Sequence, residues 1–317
     1  MNIVFMGTPD FAVESLDKLY DSGHNILAVV SQPDKPSGRG MKLMAPPVKE
    51  YAIEKNIKVY QPEKVRGNVE FIEEMKALKP DVMVVVAYGK LLPKEVLDIP
   101  KYGCINVHGS LLPKYRGSAP IQWAIINGES KTGITTMYMN EGMDTGDMIL
   151  KKEIDILDSD TYGTLYEKLK KLGGKVIVET LEIIAEGFMQ REKQPDDFTM
   201  APMINKTLGN IDWNKSALEI RNLIRGLNPM PGAYTQLDGR VMKIWSAEIE
   251  KNILNMDNKE IPGTIVVANP KDGLMVVTGE GLLKITELQM TNAKRMSAND
   301  YLRGNSIEIG SVFSAII

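Results

Sequence analysis

The sequence predicts an α/β chain of two domains, the first built on a mostly parallel sheet and the second a small OB-like barrel. Three observations lead to this prediction. The chain has 317 residues, more than one typical domain, and 43% of them are hydrophobic. In the first half, short apolar runs alternate with segments of helical period, which is the rhythm of strand–helix–strand units. After residue 209, short strand-like pieces are separated by Gly, Asn and Asp turns.

The first domain is expected to span residues 1–187 and to be Rossmann-like. Its apolar runs are continuous, which is typical of parallel strands buried on both faces. The predicted strands are 3–6, 26–30 and 82–86, and the predicted helices are 11–20, 48–54, 69–78, 121–126 and 162–186. Thr8 is expected to cap the first helix, with Pro9 at its first position. Gly187 is expected to end the last helix.

A polar stretch without apolar periodicity follows Gly187, and we interpret residues 188–208 as a linker. The second domain is then expected at 209–317. It should contain a helix at 216–227 and strands at 232–237, 241–249, 263–267, 274–278 and 282–289. Short strands separated by turn residues favour an OB-like barrel, a fold that often binds oligonucleotides. Acidic and basic residues are equally numerous here, so net charge is not expected to hold nucleic acid.

Composition excludes several classes of protein. Lys plus Arg number 38 and Asp plus Glu number 41, so the net charge of −3 gives no field that would gather nucleic acid nonspecifically. With one cysteine and two histidines, we expect no intrachain disulfide, no ordinary zinc site and no metal. No apolar run approaches the roughly 20 residues that span a bilayer, and no targeting segment is expected at the N-terminus. We therefore expect a cytoplasmic protein without a membrane partner.

The opening segment argues against a dinucleotide cofactor. Gly7 follows the first strand, but the second and third glycines of the G-x-G-x-x-G fingerprint are missing. Pro9 also lacks the N–H group that a phosphate would use at the start of the helix. Nicotinamide or flavin binding is therefore not expected.

The strongest functional signal lies in residues 103–113, where a strand runs into turn residues. Because side chains alternate along a strand, Asn106 and His108 share a face. Polar groups at the end of a parallel strand occupy the place where open α/β sheets bind ligands. The alternative is a buried histidine satisfied by a neighbouring amide, but the pairing with Asn106 at a strand end favours function. The other histidine, His24, lies in a polar turn and is expected to be solvated.

A second polar segment, residues 140–147, interrupts two strand-like runs and contains two glycines, which indicates a tight, ordered loop. One of its carboxylates, which we assign to Asp144, is expected to pair with His108 and to keep it oriented or charged. The alternative is a turn in which aspartate makes only local hydrogen bonds. The nearby Asn106 and His108 favour a functional role for Asp144.

Asn106, His108 and Asp144, hereafter the trio, predict acyl transfer by direct attack. Neither Ser110 nor Cys104 is placed as an obvious nucleophile beside a base, so a covalent intermediate is not expected. An amine would attack a carbonyl while the Asn106 amide and protonated His108 donate to the developing oxyanion. Asp144 would keep the imidazole protonated and help to move protons between the attacking and leaving nitrogens.

A basic insertion, residues 32–43, follows the second strand and is longer than a simple connection requires. Its cationic side chains, Lys35, Arg39 and Lys42, are candidates for contacts with phosphate. A solvated loop without function is the alternative.

These motifs resemble those of the 10-formyltetrahydrofolate-dependent formyltransferases and, among them, the methionyl-tRNA formyltransferases. The resemblance covers essentially the whole chain. It depends on residues 6–11, 38–40, 106–113, 115–117, 119–121, 144–147, 211–213, 224–229 and 231–235. The Asn, His and later Asp are shared by all transferases and related hydrolases that use this donor, so they indicate the reaction. The segments after residue 208 resemble a tRNA-binding barrel and therefore indicate the acceptor.

The resemblance implies that 10-formyltetrahydrofolate is the co-substrate and that methionyl initiator tRNA accepts its formyl group. The donor is implied to lie against Ser110, Leu111, Leu112 and Pro113, near Val86, Ala87, Tyr88 and Gly89. The loop at 33–48 is implied to enter the tRNA acceptor stem, with Arg39 as its main contact. The sequence departs from the family pattern at Met41, where another basic residue is expected, and at Met230, where tryptophan is expected. We expect a monomer.

Two other functions stay open. The same donor could serve a nucleotide sugar or water as the acceptor, because the trio does not distinguish acceptors. Alternatively, the chain could be a nonenzymatic tRNA-binding protein in which the α/β domain is a structural platform.

Overall fold

The computed structural model describes residues 1–37, 41–188, 191–250 and 260–315. The chain forms two compact units. The first consists of Met1–Pro120, Lys131–Asp155 and Tyr166–Pro202, and the second of Ile121–Ser130, Ile156–Leu165 and Met203–Ile317. The domain boundaries expected from sequence stay predictions. The structure adds that residues 191–202, within the expected linker, group with the first unit.

The regular elements up to residue 202 are strands interspersed with helices. The strands are β1 (Asn2–Gly7), β2 (Asn25–Val30), β3 (Lys35–Ser37), β4 (Lys42–Met44), β5 (Val59–Tyr60), β6 (Val82–Val86), β7 (Cys104–His108), β8 (Lys131–Tyr138) and β9 (Met148–Asp155). The helices are α1 (Asp10–Asp21), α2 (Pro47–Glu54), α3 (Val69–Leu78), α4 (Lys94–Leu97), α5 (Pro120–Ile126) and α6 (Tyr162–Ala185).

A seven-stranded sheet forms the centre of the first unit, in the order β5-β2-β1-β6-β7-β8-β9. Neighbouring strands are parallel from β5 to β7, while β8 is antiparallel to both β7 and β9. β1 and β6 are central and almost entirely buried, which explains their continuous apolar runs. The predicted Rossmann-like, mostly parallel sheet is therefore confirmed.

The first helix begins differently from the prediction. α1 begins at Asp10, and Pro9 at the N-cap position makes no side-chain cap. The Thr8 hydroxyl donates instead to the Tyr88 carbonyl at 3.1 Å. The predicted Thr8 cap is thus wrong, because a residue distant in sequence takes the hydroxyl. β3, β4, β5 and α4 were not predicted, since elements this short show no measurable periodicity.

The elements after residue 209 form an antiparallel sheet packed with two helices. They are α7 (Ala217–Gly226), β10 (Ala233–Leu237), β11 (Arg240–Glu250), β12 (Ile265–Asn269), β13 (Gly273–Val277), β14 (Leu282–Met290), β15 (Met296–Ser297) and α8 (Ala298–Gly304). The strand order is β10-β11-β14-β13-β12, with β15 paired to β14. The α7 helix begins with a capping box formed by Ser216 and Glu219.

The C-terminal tail closes this sheet into a barrel. The Phe313 N–H donates to the Gly263 carbonyl at 2.9 Å, next to the β12 edge. Gln236 of β10 and Ser314 exchange two backbone hydrogen bonds of 3.0 Å, so the tail also pairs with the opposite edge. The Phe313 ring stacks on Trp213, with 5.3 Å between ring centroids. The predicted small barrel is confirmed, and its strands prove to be antiparallel. β15, α8 and the closing role of the tail were not predicted.

No helix within the described ranges is long and apolar enough to cross a bilayer. Among the same residues, no group of three or more His, Cys, Asp or Glu side chains is arranged to hold a metal ion.

Candidate active site

Strand β7 carries two polar side chains toward its carboxyl end, inside the sheet. Asn106 pairs with Val85 of β6, and His108 pairs with Thr135 of β8. His108 is 6% exposed and Asn106 is half-buried. The sheet therefore places an amide and an imidazole where the carboxyl ends of two parallel strands lie side by side.

Asp144 lies between these two side chains. The Asn106 Nδ2 donates to Asp144 Oδ1 at 3.4 Å, and His108 Nδ1 is 3.7 Å from Asp144 Oδ2. The same Oδ2 accepts a hydrogen bond of 2.9 Å from the Gly117 N–H. The structure thus brings the three side chains of the trio together, at distances slightly longer than the roughly 2.6–3.2 Å of direct proton transfer. Their roles stay predictions.

His108 is held through its other ring nitrogen. Its Nε2 lies 2.8 Å from the Tyr115 carbonyl oxygen. Because a carbonyl oxygen only accepts hydrogen bonds, Nε2 carries a hydrogen and is the donor of this hydrogen bond. The bond orients the ring so that Nδ1 faces Asp144.

The loop that carries Asp144 is tightly turned. Asn140 Oδ1 accepts from the Gly142 N–H at 3.0 Å and from the Thr145 hydroxyl at 2.8 Å. Asp144 has a φ of 53°, a left-handed conformation that costs a non-glycine residue about 1–2 kcal/mol. A Cβ on Gly146 would lie 1.7 Å from the Tyr138 carbonyl oxygen, so this position requires glycine.

The segments expected to meet the donor lie at the ends of neighbouring strands, residues 86–89 at the end of β6 and residues 110–113 after β7. The second segment is ordered by hydrogen bonds. The Ser110 hydroxyl donates to the Lys114 carbonyl at 2.6 Å, and the Ser110 carbonyl accepts from the Thr135 hydroxyl at 2.7 Å. The sheet therefore brings the two segments to the same end as the trio.

The first of these segments exposes only alternate residues. Val86 and Tyr88 are buried, and burial raises the pKa of Tyr88 to about 12. Ala87 and Gly89 are exposed and have φ angles of 46° and 84°. Gln32 Nε2 donates to the Tyr88 carbonyl at 3.0 Å and so fixes the segment. Ala87 and Gly89, rather than the Val86 and Tyr88 side chains, are accessible to a ligand.

A cavity of about 480 Å³ adjoins the Asp144 loop. Its lining includes Cys104 of β7, Tyr138 at the end of β8, and Asn140 and Glu141 of the loop. Cys104 precedes Asn106 by two residues, a distance of roughly 7 Å along a strand. The cavity therefore lies beside the trio, and no sequence pattern had indicated it.

On either side of residues 38–40, which lie outside the described ranges, the basic insertion contributes β3 and β4, which pair as a two-stranded ribbon. Lys42 pairs with Ser37, and Lys35 pairs with Met44, so alternation places Lys35 and Lys42 on the same face. Both lysines are exposed. Met41, where the family pattern suggests a basic residue, is 70% exposed. Arg39, the main contact expected for tRNA, lies outside the described residues.

Residues 191–201, hereafter the strap, contribute to the site although no motif or periodicity marks them. Gln194 Nε2 donates to the carbonyl oxygens of Asp144 and Gly146, each at 2.8 Å. The Thr199 hydroxyl accepts from the Tyr115 N–H at 2.9 Å. Sequence reasoning missed both residues, because a polar segment without repeats gives no indication of its tertiary contacts.

Comparison with known proteins identifies the family. The formyl transferase family matches residues 1–181, and the formyl transferase C-terminal domain matches residues 203–306. A methionyl-tRNA formyltransferase of Clostridioides difficile (strain 630) is 55% identical over 313 residues, which cover 98% of this chain and 99% of that protein.

Solved structures share the fold at low sequence identity. An N-formyltransferase from Helicobacter canadensis, in complex with folinic acid and dTDP-3-aminofucose, has a TM-score of 0.66 at 19% identity and covers 93% of this chain and 99% of its own. HypX from Aquifex aeolicus, in complex with tetrahydrofolic acid, has a TM-score of 0.62 at 16% identity over 95% of this chain. This chain spans only 46% of HypX. Identity of 55% across nearly the full length shows that the chain belongs to the methionyl-tRNA formyltransferase family of transferases.

Proposed function

We propose that this chain transfers the formyl group of 10-formyltetrahydrofolate to the free amino group of methionyl initiator tRNA, which yields N-formylmethionyl-tRNA for translation initiation. The observation that carries the proposal is the position of Asp144, which reaches both Asn106 and His108. Formyl transferases use a formyl-tetrahydrofolate donor, and full-length relatives carry the name methionyl-tRNA formyltransferase.

The geometry supports attack of the amine on the formyl carbon. As the new C–N bond forms, the formyl oxygen becomes an oxyanion that needs donors at about 3 Å. The Asn106 amide and the Nδ1–H of a protonated His108 are the two donors. The Asn106 bond to Asp144 is long at 3.4 Å, so its N–H can turn to the oxyanion at little cost. The bond from His108 Nε2 to Tyr115 keeps the ring aligned during the reaction.

Asp144 is the group that moves the proton. The attacking nitrogen loses a proton as the tetrahedral adduct forms. Nitrogen 10 of the folate gains a proton as its bond to the formyl carbon breaks. A carboxylate close to both nitrogens can accept and return this proton. The Gly117 N–H donates to Asp144 at 2.9 Å and holds the carboxylate in place between its partners.

The donor is proposed to lie along residues 110–113 and 86–89, with its pteridine ring in the cavity of about 480 Å³. Ligand pockets of this size combine apolar walls with a few polar groups. Leu97 and Met139 supply apolar walls, and Asn140 supplies a polar group. This placement would bring the formyl group on nitrogen 10 to the trio.

The acceptor tRNA is proposed to contact the β3–β4 ribbon and the barrel. Lys35 and Lys42 present two positive charges on one face, which supports contact with phosphate. Arg39 is proposed to contact the tRNA as well. Since acidic and basic residues balance after residue 209, we expect only a modest dependence of tRNA affinity on salt. A monomeric state and a cytoplasmic location belong to the proposal as well.

The test is incubation with labelled donor and methionyl initiator tRNA. We expect label in N-formylmethionyl-tRNA and release of tetrahydrofolate in equal amounts. A nucleotide amino sugar and water serve as competing acceptors. Formylation of the sugar, or formate release without tRNA product, would contradict the proposed acceptor.

A second measurement separates catalysis from binding. His108→Ala should lower turnover by about 100- to 1,000-fold, since it removes one oxyanion donor, and should leave tRNA affinity unchanged. Wild-type turnover in this variant would favour a tRNA-binding protein in which the α/β unit is a platform.

A further inference from the structure

We propose that Gln194 of the strap is a positioning residue for formyl transfer, because it fixes the Asp144 loop relative to His108. The proposal rests on the function proposed above for Asp144. Gln194 lies between the two matched family regions, which end at residue 181 and begin at residue 203. The segment between them would otherwise be regarded as a simple connection.

The side-chain amide of Gln194 has two N–H donors, and the Asp144 loop offers two backbone carbonyl acceptors to them. Its NH₂ group has two hydrogens, and the carbonyl oxygens of Asp144 and Gly146 lie 2.8 Å from the nitrogen. Both carbonyls only accept, so each takes one hydrogen and the donor capacity of the amide is used in full. One side chain therefore holds the loop on both sides of Thr145.

The loop needs this support. Asp144 has a left-handed φ of 53°, which is disfavoured for aspartate and persists only where the surroundings impose it. Residues 141–143 are exposed, and the Met143 side chain is 52% exposed, so this part of the loop gains little from burial. Besides the Asn140 turn and the close approach of Gly146, the Gln194 amide holds the backbone of the loop at the carbonyls of Asp144 and Gly146.

The oxygen of the Gln194 side-chain amide is also held by a hydrogen bond. This Oε1 atom accepts from Arg116 Nε at 2.9 Å. Arg116 is 8% exposed, and its guanidinium lies 4.4 Å from the ring centroid of Phe198 in the strap. The anchor is therefore buried and stacked, and it restricts the rotamers available to the Gln194 side chain.

The strap also holds the turn that orients His108. The Thr199 hydroxyl and carbonyl accept from the Tyr115 and Arg116 N–H groups, each at 2.9 Å. Tyr115 supplies the carbonyl that binds His108 Nε2. The same short segment thus fixes the carboxylate through Gln194 and the imidazole through Thr199. It sets the distance of 3.7 Å between His108 Nδ1 and Asp144 Oδ2.

Two variants test the role of Gln194. Gln194→Glu keeps the volume and the acceptor for Arg116 but removes the bonds donated to the Asp144 and Gly146 carbonyls. Gln194→Met, at similar volume, also removes the bond from Arg116. A displacement of about 1 Å at a reacting group can cost about 100-fold in rate, so we expect kcat to fall by about 10- to 100-fold in both variants. We expect KM for tRNA to change by less than about twofold, since Gln194 is assigned no contact with tRNA. Asp197→Ala, an exposed change in the same strap, is the matched control and should retain wild-type kcat.

A double variant distinguishes positioning from general damage. If Gln194 acts through Asp144, Gln194→Met should have little effect in an Asp144→Asn background, whereas a loss of folded structure would add to the Asp144→Asn effect. Thermal unfolding of each variant checks that the fold is kept. The proposal is overturned by wild-type kcat in Gln194→Glu, or by additive losses in the double variant. If Asp144→Asn alone has wild-type kcat, the failure lies in the function proposed for Asp144, and this proposal falls with it.

Discussion

Replacement of Asp144 by asparagine is the most direct probe of the trio, because it keeps the shape of the side chain and removes its charge. Asp144 Oδ2 lies 3.7 Å from His108 Nδ1. At an effective dielectric constant of about 20, two unit charges about 4 Å apart interact by about 4 kcal/mol. If that interaction stabilises the imidazolium in the transition state, its loss corresponds to about a 1,000-fold change in rate. The new amide can still accept from Gly117, so we expect a fall in kcat of about 100- to 1,000-fold.

Single-turnover formylation with enzyme in excess measures this effect without interference from product release. Asp147→Asn is the matched control, since it makes the same chemical change in the same loop, and its kcat should stay close to the wild-type value. The KM for tRNA should change by less than about threefold in both variants. A fall of less than tenfold in Asp144→Asn would refute the assignment of Asp144 as the group that holds and moves the proton.

The remaining predictions concern backbone fit, barrel closure and thiol chemistry. Gly117 has a φ of 118°, and a Cβ there would lie 2.8 Å from the Ala201 carbonyl oxygen, so Gly117→Ala should lower the free energy of unfolding by about 1–3 kcal/mol and lower kcat. Gly187→Ala, at a positive φ with open space around it, should leave kcat unchanged, and equal kinetic losses in the two variants would contradict the argument. Phe313→Ala should destabilise the barrel by about 3–5 kcal/mol in denaturant titration, and a loss below about 1 kcal/mol would show that the tail does not close it. Burial raises the pKa of the Cys104 thiol from 9.0 to about 12. The stability that the protonated thiol gives to the folded state is therefore complete below pH 9 and is lost as the pH rises toward 12. Because burial keeps the Cys104 thiol protonated in the folded chain, a thiol reagent at pH 8 should label unfolded protein at once and native protein slowly. Rapid labelling of the native protein would contradict this prediction.

Local sequence patterns predicted the fold correctly where a continuous apolar run or an alternation of polar and apolar residues shows which side chains are buried. The apolar runs in β1 and β6 indicated strands buried on both faces, and these strands lie at the centre of the sheet. Alternation along β7 predicted that Asn106 and His108 share a face, and Asp144 contacts both. The predicted helix cap was less reliable, because a polar side chain can form its hydrogen bond with a residue distant in sequence. Thr8 could have capped α1, but its hydroxyl binds the Tyr88 carbonyl instead.

By itself, then, the sequence determined the α/β class, the barrel after residue 209, and the three residues expected to carry the chemistry. These depend on periodicity and on residue type, which are local properties of the chain. Only the tertiary structure revealed that Gln194 spans the Asp144 loop and Arg116, that the tail around Phe313 joins both edges of the barrel, and that Val86 and Tyr88 face the core. The physical reason is that a hydrogen bond between residues 50 positions apart, such as that of Gln194 with Asp144, leaves no periodic trace in the sequence. Such a contact exists only once the sheet has brought its partners together.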